Sequence, residues 1–408
     1  MTKQIKEYIP VVGKQLIDEL YLVAGRLKRF KIQNINSTIS GGGVAEILSR
    51  MVPLMKDLGL SVRWDALEAG DKFFTITKKI HNALHGMDVN LTDKEYQYFL
   101  DVNEKNKKKV AVDSDIVYIH DPQPIALITE NKNRDKKWLW RCHVDFSKPQ
   151  EAVWAFLKEF IQKYDTSVFS APAFARKLDC RQVLVAPSID PLSDKNKTLE
   201  QRQVDSVLEK YGIDKDKPII TQISRFDYLK DPLGVIRSYR LVKKYIDCQL
   251  ILAGGGATDD PNTAEVLKKA EDLASVDKDI FILHLPGQSH LEINALQRAS
   301  TVILQKSLRE GFGLTVCEAL WKEKPVIASA VGGIPLQIAH KYSGILTYTI
   351  EGTAYWIKQL IQEPEYAKRL GVHGKKHVAN NFLITRHIQD YLLLFLSLYN
   401  ESNVVDLG

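Results

Sequence analysis

The sequence is poor in residues that cross-link a protein or anchor it in a membrane. Its 408 residues include only four cysteines, which are far apart and form no CxxC pair: Cys142, Cys180, Cys248 and Cys317. We interpret them as small core residues in a reducing compartment. No apolar run approaches the ~18 residues of a membrane span, and residues 1–10 lack the apolar segment of a secretory signal. We therefore expect a cytoplasmic protein that does not bind a membrane.

Charge of one sign is also scarce. Lysine and arginine number 56, aspartate and glutamate number 50, and the formal net charge is +6. The one dense basic run, residues 105–109 (KNKKK), ends a polar predicted helix and is interpreted as a solvated face. No basic or aromatic stripe continues it, so we expect no nucleic-acid partner.

Two common nucleotide-binding motifs are missing as well. The chain has neither the GxGxxG spacing of dinucleotide-binding proteins nor the Gly-x4-Gly-Lys-Ser/Thr of P-loop proteins. It does have a triple glycine at residues 41–43, between a predicted strand at 31–39 and a predicted helix at 44–58. Such a turn brings backbone N–H groups against a phosphate, although a glycine-rich turn alone is weak evidence.

Predicted strands alternate with predicted helices along the chain, in two series joined through residues 187–217. This alternation predicts an α/β fold with two Rossmann-like domains, each built on a parallel sheet. We assign residues 1–196 to an N-terminal domain and residues 197–380 to a C-terminal domain. Residues 381–408 contain an apolar helix that we expect to dock back onto the first domain. The cleft between two such domains is the expected ligand site.

Polar clusters follow two successive predicted strands of the N-terminal domain. His120 and Asp121 end one strand, and His143 and Asp145 follow the next. Ligands of open α/β sheets bind beyond the carboxyl ends of the strands. A single histidine is usually structural, but two clusters at successive strand ends favour a pocket.

The C-terminal domain carries a charged, glycine-containing turn. Residues 308–319 (LREGFGLTVCEA) lead from a predicted strand into a predicted helix, a context that suits an anion. Glu310 and Glu318 are expected to face one pocket at different depths, and Arg225 and Lys230 follow the first strand of this domain. Two cations and two carboxylates favour an enzyme that handles a diphosphate. A two-lobed small-molecule binding protein is the alternative from another class.

The spacing Arg225-x4-Lys230 followed by Glu310-x7-Glu318 resembles the signature of the retaining glycosyltransferases of family 4, which have the two-domain GT-B fold. Within that family the chain is similar to the trehalose synthases of the glycosyltransferring type. The motifs of this second resemblance span nearly the whole chain: residues 36–46 (NSTISGGGVAE), 81–84 (HNAL), 120–124 (HDPQP), 138–145 (WLWRCHVD) and 188–193 (SIDPLS).

Two positions depart from the family pattern. Asp231 follows Lys230 where many relatives have glycine, and residues 340–344 (HKYSG) replace an acidic Asp-Gly turn. Neither position is expected to carry chemistry, although the second changes local loop contacts.

The resemblance implies a role for each conspicuous residue. Arg225 and Lys230 would neutralise the donor diphosphate, Glu318 would accept hydrogen bonds from the ribose, and Glu310 would hold hydroxyls of the transferred glucose. The implied donor-binding residues are Gly42, Gly43, Arg225, Lys230, Leu285, Gly287, Glu310, Gly311, Phe312, Gly313, Leu314 and Glu318. The implied acceptor-binding residues are His81, Asn82, His120, Asp121 and Gln123. The implied catalytic residues are His143, Asp145, Arg225, Lys230 and Glu310.

The implied reaction is the reversible transfer of glucose from UDP-, ADP- or GDP-glucose to glucose, which gives trehalose with retained α configuration. The alternatives are a trehalose phosphorylase that uses glucose 1-phosphate and phosphate, and another disaccharide-forming glucosyltransferase. We expect no tightly bound cofactor and no metal, because the Asp-x-Asp triplet at residues 113–115 precedes a strand, away from the ligand edge. The expected partners are sugars and the nucleotide sugar, and a homodimer is compatible with the sequence.

Overall fold

The computed structural model describes residues 4–39, 42–130, 136–255 and 261–399. The chain divides by its internal contacts into two compact units, which we call unit 1 (Met1–Ser188 with Ile384–Gly408) and unit 2 (Ile189–Leu383). The sequence-based boundaries lie at 196/197 and 380/381. Ser40 and Gly41 of the glycine-rich motif lie outside the described residues.

Unit 1 is built on a six-stranded sheet. Its strands are β1 (Lys31–Asn36), β2 (Ser61–Ala66), β3 (Ile116–His120), β4 (Lys137–Cys142), β5 (Thr166–Phe169) and β6 (Arg181–Leu184). They pair in parallel in the order β2-β1-β3-β4-β5-β6. The helices among them are α1 (Ile9–Val12), α2 (Lys14–Leu27), α3 (Gly42–Asp57), α4 (Asp71–Leu84), α5 (Asp93–Lys109) and α6 (Glu151–Ile161).

Unit 2 repeats this architecture. Its strands are β7 (Ile219–Ile223), β8 (Gln249–Gly254), β9 (Ile280–His284), β10 (Val302–Gln305), β11 (Val326–Ser329) and β12 (Ile345–Thr347). They pair in parallel in the order β12-β11-β10-β7-β8-β9. The helices are α7 (Gln201–Lys210), α8 (Pro232–Lys243), α9 (Pro261–Ala274), α10 (His290–Ala299), α11 (Leu314–Trp321), α12 (Ile334–Gln337), α13 (Ile350–Gln362) and α14 (Pro364–Asn381).

Two parallel six-stranded sheets with helices between the strands confirm the predicted α/β fold with two Rossmann-like domains. The central strands were predictable because parallel strands are covered on both faces and are therefore nearly continuous apolar runs. Every residue of β3, β7 and β10 is buried. The sequence did not predict β12 or α12, which have three and four residues and are too short to show a period.

Strand β1 is unusual because its sequence, KIQNIN, is polar at buried positions. Gln33 donates to the carboxylate of Asp65 on the neighbouring strand at 2.7 Å. Asn36 Oδ1 accepts the indole N–H of Trp64 at 2.8 Å. Buried amides are tolerated where they find partners, and here they link β1 to β2 at the level of their side chains.

The last helix of the chain, α15 (Ile384–Ser397), belongs to unit 1. Tyr391 on its buried face is 1% exposed, and its ring meets that of Tyr118 edge-on at a centroid distance of 5.0 Å. The guanidinium of Arg141 lies 5.5 Å from the centre of the same ring. This C-terminal helix therefore packs against β3 and β4, the central strands of unit 1.

Membrane-spanning helices are absent from the described ranges: none of the helices there is both long and apolar enough to cross a bilayer.

The packing of α15 generates a stability prediction. Tyr391→Ala should lower the free energy of unfolding by about 3–5 kcal/mol, the cost of removing a large aromatic ring from a close-packed core. Leu393→Ala, on the same helix but 36% exposed, is the matched control and should cost less than about 1 kcal/mol. Urea unfolding followed by tryptophan fluorescence measures both. Equal effects of the two variants would show that α15 contributes no core to unit 1.

Candidate active site

The polar residues at the carboxyl ends of β3 and β4 are brought together by the register of the sheet. His120 at the end of β3 lies opposite Arg141 of β4, so His143 follows directly beyond the strand. Strand β1 lies on the other side of β3, where Asn34 pairs with Tyr118, two residues before His120. Three strands therefore bring four polar side chains together near this end of the sheet.

These four side chains form one hydrogen-bonded chain. His120 Nε2 lies 3.0 Å from Asn34 Oδ1, and His120 Nδ1 lies 3.2 Å from His143 Nε2. Arg141 Nε donates to His143 Nδ1 at 3.4 Å. Because the amide oxygen can only accept and the guanidinium can only donate, each imidazole must carry its hydrogen on Nε2. His143 therefore donates to His120, and His120 donates to Asn34.

Both imidazoles are neutral in this arrangement. Burial, with a second contribution from the Arg141 cation, lowers the pKa of His120 to about 3. Burial, then Arg141 and His120, holds the pKa of His143 well below its usual range. His120 is 1% exposed, whereas His143, in the middle of the chain, is only partly buried. A neutral imidazole at this partly exposed position brings no positive charge to the site.

Asp121 fixes the backbone next to this chain. It adopts a left-handed conformation with φ of 66°, and its N–H donates to Arg141 O at 2.7 Å. Its carboxyl accepts the backbone N–H of His143 at 2.8 Å. Burial raises the pKa of Asp121 to about 7, against the lowering effects of the His143 N–H and of Arg141. The sequence assigned Asp121 to acceptor binding, and in the structure its observed contacts position His143.

The remaining residues expected in the acceptor half do not all join this chain. Gln123 and His81 form a separate pair, with 3.2 Å between Nε2 of each. Asn82 is partly buried beside His81 on α4. The carboxylate of Asp145 is 2% exposed and accepts the N–H of Ser147 at 2.9 Å, a contact that shapes its own turn.

The charged turn of unit 2 contains a buried ion pair. Lys230 Nζ lies 2.6 Å from Glu310 Oε2, and the two side chains are 16% and 10% exposed. Ser307 Oγ and Gln305 Nε2 donate to the same oxygen at 3.1 and 3.3 Å. The hydroxyl of Thr315, at the start of α11, donates to the amide oxygen of Gln305 at 2.8 Å. A buried ion pair needs such additional hydrogen bonds to offset the loss of hydration.

The loop that carries Lys230 is braced by neighbours that the sequence did not assign. Gln222 of β7 donates to Lys230 O at 2.8 Å and accepts the N–H of Lys306 at 2.8 Å. Asp231 has φ of 46°, which explains why glycine suits this position. In this chain the Asp231 carboxylate caps α8 by accepting the N–H of Gly234 at 3.0 Å. It also pairs with Lys306.

Arg225, the other cation expected at the diphosphate, lies at the surface of the same loop. Its side chain is 69% exposed and pairs with Asp227 at 3.0 Å. Lys230 and Arg225 therefore differ: the first is preorganised, and the second keeps the freedom to turn toward an anion.

The glycines of this turn are required by close approach. Gly313 begins α11 from a left-handed conformation with φ of 83°. Gly332 also has a positive φ of 55°, and a Cβ there would meet Glu310 O at 1.6 Å. Gly311 O accepts the N–H of Gly333 at 3.2 Å, and Phe312 packs edge-on against Phe382. The backbone around Glu310 is therefore held by packing, and Leu314 begins the helix that follows.

Four further donor-side residues occupy ordinary positions. Gly42 and Gly43 form the first turn of α3, where backbone N–H groups have no acceptor within the helix. Leu285 is 2% exposed and belongs to the core of unit 2, while Gly287 lies on an exposed loop.

Glu318 lies one helical turn inside α11 and is 5% exposed. Lys195 Nζ lies 3.8 Å from its Oε1. Lys322, on the next turn, donates to Glu318 O and to Asn196 Oδ1, both at 3.0 Å. The expected ribose-binding carboxylate therefore has two lysines beside it, neither of which the sequence singled out.

Two of the residues that the sequence missed share a recognisable signal. Gln222 and Gln305 are each the single amide of a buried strand. A polar side chain in such a strand must have a partner, so it marks a position worth assigning. Asn34 lies in β1, which contains two other amides, and Lys195 lies in a polar segment, so neither stands out.

The Asp-x-Asp triplet is structural in its observed contacts. Asp113 pairs with Arg63 at 2.9 Å, and Asp115 accepts the N–H of Lys31 at 2.7 Å at the amino end of β1. Ser114 between them is 2% exposed. Within the described ranges, histidine, cysteine, aspartate and glutamate form no group of three or more that could hold a metal ion.

Comparisons with known proteins match both units. The family described as "Trehalose synthase, N-terminal domain" matches residues 34–176, and "Glycosyl transferases group 1" matches residues 204–377. A trehalose synthase from Pyrococcus horikoshii is 42% identical over 402 residues, 97% of this chain and 97% of its own. A trehalose phosphorylase from Pleurotus pulmonarius is 29% identical over 84% of this chain and 54% of its own length.

A solved structure has the same fold. The α,α-trehalose-phosphate synthase (UDP-forming) of Burkholderia xenovorans superposes with a TM-score of 0.73 over 89% of this chain and 99% of its own. Its sequence identity is 12%, so this likeness establishes the fold alone.

The histidine chain yields a prediction for NMR. In protein labelled with ¹⁵N-histidine, His120 and His143 should both show the neutral Nε2–H tautomer. Neither should take up a proton between about pH 8 and pH 5, the range in which an unperturbed histidine titrates, because burial and Arg141 disfavour a second positive charge. The variants His120→Gln and His143→Gln identify the signals. An imidazolium spectrum of either residue in this range, or an Nδ1–H tautomer, would contradict the proposed hydrogen-bond directions.

Proposed function

We propose that this chain, which belongs to the trehalose synthase family of glycosyltransferases, transfers glucose from a nucleoside diphosphate glucose to glucose and so makes trehalose with retained α configuration. The observation that carries the proposal is the buried pair of Lys230 and Glu310, 2.6 Å apart. The ammonium of Lys230 can bind an anionic leaving group, and the carboxylate of Glu310 can accept hydrogen bonds from sugar hydroxyls. A transferase for a nucleotide sugar needs both at one place.

The leaving group requires positive charge. When the bond between the sugar and the phosphate breaks, negative charge grows on the diphosphate, and donors held ready at that point stabilise it most effectively. Lys230 is held by its loop, Arg225 is exposed on the same loop, and α11 begins at Leu314 with its positive end. These groups supply the counter-charge that other sugar transferases take from a divalent ion.

Glu310 binds the transferred glucose in this proposal. Its Oε2 accepts hydrogen bonds from Lys230, Ser307 and Gln305. The orientation of the carboxylate is therefore fixed before the substrate arrives. A carboxylate held by an ammonium, a hydroxyl and an amide is a weak nucleophile but a good acceptor for sugar hydroxyls.

The reaction then proceeds without a glucosyl-enzyme. A double displacement needs a carboxylate nucleophile roughly 5 Å from its acid/base partner, and Glu310 has another role. The acceptor hydroxyl oxygen bonds to C1 on the face that the nucleotide leaves, while the bond from C1 to the phosphate oxygen breaks. The hydroxyl proton passes to that diphosphate oxygen.

Unit 1 supplies the acceptor residues. His143 is the partly exposed member of the neutral chain, and His120, Asn34 and Arg141 determine which of its ring nitrogens carries hydrogen. A glucose hydroxyl therefore binds His143 in this proposal by replacing Arg141, which lies 3.4 Å away, as the donor to Nδ1. Gln123 and His81 offer a second amide–imidazole pair for the same purpose.

Trehalose phosphorylase is the second candidate, because a phosphorylase is among the relatives at 29% identity. Its donor-side anion would be a single phosphate. Lys230 and Arg225 with the start of α11 provide more positive charge than one phosphate needs, which favours the diphosphate.

Product formation from defined donors tests the proposal. Purified protein is mixed with labelled glucose and UDP-, ADP- or GDP-glucose in the absence of phosphate. We expect labelled trehalose from at least one nucleotide glucose and none from glucose 1-phosphate. The reverse pattern would establish the phosphorylase instead. The same assay in excess EDTA should lose no activity, and a requirement for Mg²⁺ or Mn²⁺ would mean that Lys230 and Arg225 are not the counter-charge.

The two glutamates should separate in kinetics. Glu310→Gln should mainly lower kcat, since glucose gains positive character in the transition state, whereas Glu318→Gln should mainly raise the donor KM, since the ribose hardly changes. Hydrogen bonds to charged groups contribute about 1.5–3 kcal/mol, so each effect should be on the order of ten- to hundredfold. Glu323→Gln, which loses only a surface pair with Lys375, is the control. If Glu310→Gln mainly raised the donor KM and Glu318→Gln mainly lowered kcat, the assignment would be refuted.

A further inference from the structure

The segment from Asp190 to Lys197 is fastened tightly to unit 2. Asn196 donates to Asp190 O at 3.0 Å and to Ser193 Oγ at 3.2 Å, which closes the segment on itself. Asn294 of α10 donates to Asp194 O at 2.9 Å and to Lys197 O at 2.8 Å. Lys195 lies between these two anchored carbonyls. Its backbone is therefore flanked on both sides by carbonyls that Asn294 binds.

Lys195 directs its ammonium toward Glu318. The distance from Nζ to Oε1 is 3.8 Å, and the two side chains are 17% and 6% exposed. This distance exceeds the 2.7–3.2 Å of a direct hydrogen bond. The ammonium is attracted by the carboxylate through its charge.

Lys322, the other lysine beside Glu318, does not face the Glu318 carboxylate in the same way. Lys322 directs its amine to two neutral oxygens, Glu318 O and Asn196 Oδ1. Burial lowers the pKa of Lys322 to about 7, although the charge of Glu318 raises it. Near neutral pH Lys322 is therefore only partly charged, which leaves Lys195 as the cation that faces the carboxylate.

We propose that Lys195 is a further donor-binding residue, which together with Glu318 recognises the ribose diol of the nucleotide. This assignment rests on the proposed function, in which Glu318 accepts hydrogen bonds from the ribose. A vicinal diol has two protons to donate and oxygen lone pairs to accept. Glu318 can take the protons, and Lys195 can donate to an oxygen of the same diol.

The geometry supports this division. A hydroxyl that donates to Glu318 Oε1 lies about 2.7 Å from it, which is beside an ammonium that itself lies 3.8 Å from that atom. A site with both a donor and an acceptor discriminates strongly against an analogue that lacks a hydroxyl, because its polar groups are then left without partners. Lys195 should therefore make the protein selective for ribose over deoxyribose.

The test compares donors that differ in one hydroxyl. The fastest of UDP-, ADP- and GDP-glucose is assayed beside its 2′-deoxy and 3′-deoxy ribose analogues, with wild type and Lys195→Met. The wild type should prefer the ribose donor over at least one analogue by about 10- to 100-fold in kcat/KM. In Lys195→Met this preference should fall at least about fivefold, because methionine keeps an unbranched side chain but lacks the ammonium that donates hydrogen bonds.

Lys197→Met is the matched control, because Lys197 lies two positions away and pairs only at the surface with Asp194. Its preference should equal that of the wild type. Lys195→Arg, which keeps a cation, should retain most of the preference. Lys195→Gln provides the same comparison if the methionine variant does not fold, and its preference should fall too.

The outcomes separate the two proposals. If Lys195→Met and Lys195→Gln slow every donor by the same factor, Lys195 merely supports Glu318 and the assignment is overturned, while the proposed function stands. A wild type that does not distinguish the deoxy analogues also overturns it. If the wild type makes no trehalose from any nucleotide glucose, the proposed function fails and the assignment of Lys195 fails with it.

Discussion

The ion pair between Lys230 and Glu310 imposes most of the architecture around it. A charge pair with side chains only 16% and 10% exposed is stable only if further hydrogen bonds replace lost water. Ser307 and Gln305 meet this need on the carboxylate, and Gln222 braces the lysine loop from the next strand. Two buried glutamines in apolar strands are thus consequences of a charge pair placed at the carboxyl edge of the sheet.

Unit 1 also buries a charged group, and the groups that surround it in the hydrogen-bonded chain are neutral. The cation of Arg141 is fully buried, and it donates to Val185 O at 2.9 Å and faces the ring of Tyr391. Burial, with a second contribution from this charge, lowers the pKa of both neighbouring histidines, so they remain neutral and their hydrogens are directed from Arg141 through to Asn34. Unit 2 thus holds a buried pair of opposite charges, and unit 1 holds a chain of neutral hydrogen-bonding groups beside a buried cation.

The sequence predicted the fold well because parallel strands are buried on both faces, so β3 and β7 appear as apolar runs with the bounds that the structure has. It also predicted that His120, His143, Lys230 and Glu310 lie at strand ends, since those positions follow from the runs themselves. It missed Asn34, Gln305 and Lys195. Gln305 could have been recognised as an isolated amide in a buried strand, but Asn34 lies in a strand with two other amides and Lys195 lies in a polar segment where a lysine is ordinary.

The sequence by itself therefore determined the elements, their parallel pairing and the residue types at their ends, because these depend on local periodicity and on motifs. Only the tertiary structure decided which side chains meet. Lys230 and Glu310 are 80 positions apart, and Asn34 and His120 are 86 apart. Their contact depends on strand order and register, which bring β1 beside β3 and β10 beside β7. No local pattern encodes such neighbours, since strands adjacent in space can be separated by any length of chain.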